Sequence, residues 1–229
     1  MKKIKLIATL IILIIPAVSY SEVVEVFTWK AFPGKGQVLL QNMNVAANIH
    51  RAQGVQVSIN AHDIGSTQLT DYVLRWDDID SWAKTKDAQR NSPEWLQFWA
   101  DAAENPAGEL ITSFSGGNLD QTKKASDFNG SWVYSVNVWD PHEGKEVEVL
   151  QRFQVAKKIL ENSGARVEIY GGGWGSNGQL HYVLMYKSWV DLAESFSKLG
   201  PGSEWSAFLA ANSEVIAEEL SYFTGQTLN

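Results

Sequence analysis

The segment Tyr72-Val73-Leu74 returns as Tyr182-Val183-Leu184, an offset of 110 residues, and the same offset carries Trp29 to Trp139, Gly34-Lys35 to Gly144-Lys145 and Gly54 to Gly164. It also relates Gly65-Ser66 to Gly175-Ser176, Glu94-Trp95 with Phe98 to Glu204-Trp205 with Phe208, and Glu109-Leu110 to Glu219-Leu220, with no gap along the way. A fixed internal period limits the fold more than composition does, because one structural unit must be built twice. Each half then acts as a control for the other. Positions that match are expected to be scaffold, and positions that differ are where chemistry can reside.

Val23 to Lys30 alternates β-favouring side chains and predicts a strand, broken by Pro33-Gly34-Lys35-Gly36. A helix is expected from about Gln37 to Gln53, stopped by Gly54. Leu39, Met43, Ala46 and His50 share one of its faces, and the twin stripe is Val149, Phe153, Ala156 and Leu160. Val55, Val57 and Ile59 alternate with polar residues in a second strand, and Leu69 to Trp76 gives a third. One helix begins at Asp77 or Asp78; its twin opens at Ser188 with Asp191 at capping-box spacing. Ser92-Pro93-Glu94 opens another helix, and Glu109 to Phe114 is the closing strand. Gly116 to Gly130 is rich in Gly, Asn, Asp, Ser and Lys and reads as a linker. The expected plan is a signal peptide at 1–21, a first repeat at 22–115, a linker at 116–130 and a second repeat at 131–229.

This β-α-β-β-α-β order, met twice, resembles the dimeric α+β barrel superfamily of ferredoxin-like folds. The resemblance implies an α+β chain whose two tandem ferredoxin-like repeats form an intramolecular dimeric α+β barrel. Two four-stranded sheets then pack face to face with helices outside, and the protein is a monomer with an internal pseudo-dimer. Superfamily members include cofactor-free oxygenases, small-molecule isomerases, haem-degrading and haem-containing enzymes, and proteins with no known activity. Such a fold leaves function open.

Met1-Lys2-Lys3-Ile4-Lys5 precedes an apolar run from Leu6 to Ile15 and small residues near Ser19 and Ser21. That is the pattern of a secretory signal peptide, and the run is short for a membrane span of about 20 residues. Cleavage after Ser19 or Ser21 is expected, with a periplasmic or secreted bacterial location and no stable membrane insertion afterwards. The chain has no cysteine, so its stability must come from core burial, to which ten Trp, nine Phe and seven Tyr contribute. The net charge of −7, or −10 without Lys2, Lys3 and Lys5, repels phosphate backbones and argues against nucleic acid as a partner.

Strand alternation directs Val55, Val57 and Ile59 toward the helices and Gln56, Ser58, Asn60 and His62 into the barrel. The twin interior positions are Arg166, Glu168, Tyr170 and Gly172. On the third strand, Tyr72, Leu74 and Trp76 face helices while Asp71, Val73 and Arg75 face inward, opposite the twin set His181, Val183 and Met185. Buried polar groups need partners, so they pair with one another or with a ligand. The expected ligand set is Asn60, His62, Arg75, Arg166, Glu168, Tyr170 and His181, with Trp29 or Trp139 stacking on the molecule. His62, beside Asp63, is the candidate base, with Asn60 and Arg75 as polarising groups. His50 reads as a satisfied core histidine and His142 as solvated.

The histidines lack paired metal-binding spacing and there is no cysteine, so no metal and no cofactor are expected. There is no Gly-x-Ser-x-Gly elbow and no phosphate loop; Gly171 to Gly175, with Trp174 at its tip, is a candidate flap. Three functions remain open. The first is an exported barrel that binds a small, partly apolar or aromatic molecule. The second is a cofactor-free oxygenase or isomerase, and the third a structural or interaction module without a ligand.

Overall fold

The computed structural model describes residues 22–66 and 68–228; the expected signal peptide lies outside the described residues. The elements run β1 (Val23–Ala31), α1 (Gly36–Ala52), β2 (Gln56–His62), β3 (Leu69–Trp76), α2 (Ile79–Arg90), α3 (Pro93–Glu104) and β4 (Gly108–Asn118). After a short 3-10 turn at Ala125–Phe128 come β5 (Val133–Pro141), α4 (Glu146–Ser163), β6 (Arg166–Gly171), β7 (Leu180–Tyr186), α5 (Trp189–Ser197), α6 (Glu204–Ala211) and β8 (Ala217–Leu228). Helix starts follow local chemistry. Asp78 accepts from Ser81 N at 2.7 Å, Ser92 from Trp95 N at 3.2 Å and Ser188 from Asp191 N at 3.1 Å, each satisfying an amide that the helix leaves unpaired. None of the described helices is long and apolar enough to cross a membrane.

The eight strands close into one barrel in the order β1-β3-β2-β8-β5-β7-β6-β4. Each half contributes four antiparallel strands with the same register: Val26 pairs with Val73, and Val136 with Val183. The gapless correspondence expected from the sequence fails in the last strand. Trp29 lies opposite Leu110 whereas its twin Trp139 lies opposite Glu219, so the offset there is 109. Glu109-Leu110 therefore matches Glu218-Glu219 in space, and one residue is lost between the helices and β8. The bulges survive the slip, between Thr28 and Trp29 in one half and between Val138 and Trp139 in the other.

Two short seams join the halves. Gly117 and Asn118 of β4 pair with Gly171 and Tyr170 of β6, and β2 pairs with β8 from Ile59↔Leu228 to His62↔Gly225. The first seam uses residues expected in the linker, because β4 continues to Asn118 rather than ending at Phe114. Ladder hydrogen bonds at the seam account for the extension: an unpaired strand end there would leave buried amides without partners. The same supposed linker contributes Phe128, which is 2% exposed and packs with Val24, Val73, Tyr134, Tyr170 and Met185 between the sheets.

Two further cores lie outside the barrel. One sets α1 on Val57, Ile59, Tyr72 and Leu74; the other sets α4 on Val167, Ile169, Tyr182 and Leu184. Trp29 and Trp139 belong to these outer cores, not to the interior as expected. The reason is strand period: Thr28 lies opposite Asp71 and faces inward, so Trp29, one residue on, must face the helices.

Candidate functional site

Between the sheets is a cavity of about 470 Å³. Its walls are unequal. The first half presents Thr28, Ser58, Asn60, His62, Asp71 and Arg75, while matching second-half positions present Val138, Tyr170, His181 and Met185. Phe114 and Phe223, equivalent once the slip is counted, complete it. Five expected ligand residues, Asn60, His62, Arg75, Tyr170 and His181, are thus brought together.

His62 meets Asp71 rather than its chain neighbour Asp63. Its Nε2 is 2.8 Å from Asp71 Oδ2, an ion-pair distance, although neither ring nitrogen is aligned with a hydrogen-bond partner among the described residues. Asp71 is fixed by Thr28, whose hydroxyl donates to Oδ1 at 2.6 Å, and the His62 ring stacks on Phe223 at 4.1 Å. His181 stacks on Phe114 at the same distance, and its Nε2 is buried without a partner. Burial lowers its pKa to about 4, with the Asp71 charge pulling the other way, so it is neutral at pH 7. Asn60 donates to Ser58 Oγ at 3.4 Å and leaves Oδ1 unpaired. Burial, together with the Asp71 charge, raises the Tyr134 pKa and keeps its phenol protonated.

Arg75 is differently placed. Its guanidinium bonds Glu22 and donates to Tyr170 Oη at 2.7 Å, over the face of Phe128 at 4.1 Å. Glu22 is fully buried, and that burial raises its pKa against the pull of Arg75. Asn118 bridges Glu22 and Glu168 at 3.1 and 2.9 Å; Glu168 also accepts from Arg166 Nε at 2.7 Å. Arg166 covers Phe128 at 4.4 Å. Arg166 and Glu168 do not line the cavity, which corrects their expected role toward a ligand, whereas Arg75 lines it while holding Glu22 and Tyr170. With Glu22 and Asn118 these three form a network around Phe128 in which Arg166 Nη2 has no hydrogen-bond partner among the described residues. Asp71, Thr28, Phe114, Phe223 and Glu22 were missing from the expected site; the inward phase of the third strand was the signal for Asp71.

Two loops border the cavity. Asp63 N donates to Thr224 O at 2.8 Å, and Ser115 N to Trp174 O at 2.8 Å, so each loop runs along a final strand. Gly173 at φ +97° is required there, since a Cβ would stand 2.2 Å from Ser115 O. Trp174 is 67% exposed and stacks on Trp82 at 5.2 Å. Among the described residues no three His, Asp or Glu side chains gather into a metal site.

Among solved structures, the chain resembles a candidate monooxygenase of Fusobacterium nucleatum at 15% identity and a TM-score of 0.63, over 92% of this chain and 94% of the other. It resembles an anthrone oxidase-like protein at 9% identity and 0.58, over 91% and 92%. A candidate chlorite dismutase matches at 10% identity and 0.59, over 91% and 95%. At such identities the likeness is one of fold. No family model and no curated protein matches the sequence.

Proposed function

The chain has the dimeric α+β barrel fold, with both sheets supplied by one polypeptide, and on that premise we propose that it binds a small, partly apolar or aromatic molecule between its sheets. The observation that carries this reading is the set of buried, unpaired polar atoms on the cavity wall: Asn60 Oδ1, His62 Nδ1 and His181 Nε2. A buried polar atom without a partner costs about 1–3 kcal/mol, and a ligand with matching groups relieves it. Apolar contact comes from Val26, Val73, Phe114, Phe223 and Met185. The test is native mass spectrometry of protein purified from its own host, before and after extraction. A stoichiometric small molecule retained by the parent protein and lost from Asn60→Ala and His62→Ala is expected. A ligand-free parent protein that also ignores a library of small aromatic compounds would sink the reading.

One observation favours turnover as well. His62, held against a carboxylate that Thr28 orients, is a base with its orienting group, the arrangement used to take a proton from a substrate. The second reading is therefore a cofactor-free oxygenase or isomerase with His62 as base and Asn60 as polarising group. Conversion of the retained molecule by the parent protein, abolished in His62→Asn, supports it; unchanged ligand after prolonged incubation rejects it. The N-terminal sequence supports export to a bacterial periplasm or beyond, checked by finding a soluble mature chain that begins at Tyr20 or Glu22.

A further inference from the structure

Each half also holds a partly open cavity between its sheet and its helices, about 520 Å³ in the first half and about 600 Å³ in the second. Both volumes suit a small organic molecule. Matching positions build the two, so they can be compared residue against residue. In the first, Tyr72 Oη bonds His50 Nδ1 at 2.8 Å. Glu25 accepts from Trp82 Nε1 at 2.7 Å and from Lys86 Nζ at 2.6 Å. None of these side chains has a buried polar atom left without a partner among the described residues.

The second half dismantles the cluster. Tyr182 keeps the place of Tyr72, but Leu160 stands where His50 would be. Ser135 replaces Glu25, Leu192 replaces Trp82 and Phe196 replaces Lys86. What remains is a larger space whose charged lining residues, Arg152 and Glu214, lie 3.7 Å apart, and whose two hydroxyls, Tyr182 Oη and Ser135 Oγ, have no hydrogen-bond partner among the described residues. Tyr182 is 5% exposed and Ser135 1%, and both line the cavity. Among the described residues the first cavity keeps one buried unpaired group, Gln89 Nε2, and its twin is Leu199. The cation lining the second cavity is already engaged: Arg152 donates to Glu148 and to the carbonyls of Asn212 and Glu214.

We infer that this second outer cavity is a binding site for a neutral amphiphile. A hydrocarbon or aromatic body packs on Trp139, Phe153, Trp205 and Phe208, and one uncharged hydrogen-bonding head, an alcohol, ketone or ester, meets Tyr182 and Ser135. The chemistry excludes a charged head: a carboxylate would be buried with no free cation, at a cost that a pair of hydroxyls does not offset. Burial raises the Tyr182 pKa, which keeps its phenol a donor. Apolar cavities of this kind stay dry and accept apolar guests. The site is separate from the one between the sheets and stands whether or not that one is occupied.

The test uses the mature chain and N-phenyl-1-naphthylamine, a neutral fluorophore, displaced in turn by 1-decanol, decane and decanoate. Decanol is expected to displace the probe at a concentration about tenfold lower than decanoate, a difference of about 1.4 kcal/mol. The double variant Tyr182→Phe, Ser135→Ala should erase decanol's advantage over decane. Leu160→His, which rebuilds the first-half pairing, should weaken decanol about tenfold, also about 1.4 kcal/mol. Near-UV circular dichroism checks that both variants keep their packing. Absence of any displacement by decanol overturns the inference. So does decanol binding that survives these variants yet disappears in His62→Ala, which would put the ligand between the sheets, or in Tyr72→Phe, which would put it in the first half.

Discussion

His50 and His181 are both held near pKa 4 by burial, against an ordinary value of 6.5. The sign follows from depressed folded-state values: between pH 6.5 and 4 the unfolded chain binds more protons, so stability rises with pH through that window. Each imidazole withdraws up to ~3 kcal/mol as pH falls from 6.5 through 4. Glu22 works the other way above 4.5, since burial raises its value and its protonated form favours the fold. The combined variant His50→Leu, His181→Phe should therefore show a flatter dependence of its urea midpoint on pH between 7 and 4.5. An unchanged slope would assign acid sensitivity to other groups. Asp71→Asn separates roles within the site: it keeps the shape but removes the charge beside His62. Ligand affinity should change by less than about tenfold, roughly 1.4 kcal/mol, whereas any proton-transfer turnover should fall by about 100-fold or more. Equal losses in both would make Asp71 a binding residue only.

At the scale of elements, the inward faces of β2 and β3 were legible because the two strands form one hairpin with uninterrupted alternation, and Asn60, His62, Asp71 and Arg75 follow directly from it. Trp29 and Trp139 were misplaced because bulk and aromaticity say nothing about phase, and β1 carries hydrophobic residues on both faces. Composition hid Phe128: a Gly-, Ser- and Asn-rich stretch gives no sign that one ring in it will be clasped between two guanidiniums. The one-residue slip in β8 was equally silent, since Glu and Leu recur at either register. The loops give a sharper prediction. Gly173→Ala meets Ser115 O and needs φ +97°, so it should cost about 2–4 kcal/mol, seen as a lower urea midpoint. Gly54→Ala shares the positive φ but meets nothing within 4 Å, and should cost about 1 kcal/mol. Equal losses would mean that backbone conformation alone, without the close approach, sets the cost.

For the whole molecule, neither sheet is covered without the other. The inner faces present Val24, Val26, Val73 and Phe114 on one side and Tyr134, Val183, Met185 and Phe223 on the other. An apolar patch of more than a few hundred Å² is rarely left in water. At about 25 cal/mol per Å², covering one contributes several kcal/mol, comparable to the whole stability of a small domain. Residues 22–130 and 131–229, expressed separately, should aggregate or self-associate and should form a soluble complex when mixed; the cut follows Phe128 because that ring belongs with Arg75. Two soluble monomers with sharp independent melting would contradict the closed barrel as a cooperative unit.

Asp71 and His181 occupy matching places, 110 residues apart in one chain. In an assembly of two identical polypeptides, every substitution appears on both sides of the dyad: an aspartate facing the cavity meets a second aspartate, and a histidine meets a second histidine. Covalent joining lifts that restriction. One codon can change while its counterpart stays, so an acidic group and a neutral imidazole can face the same enclosed space. The halves then diverge as freely as two genes, while remaining as close as one.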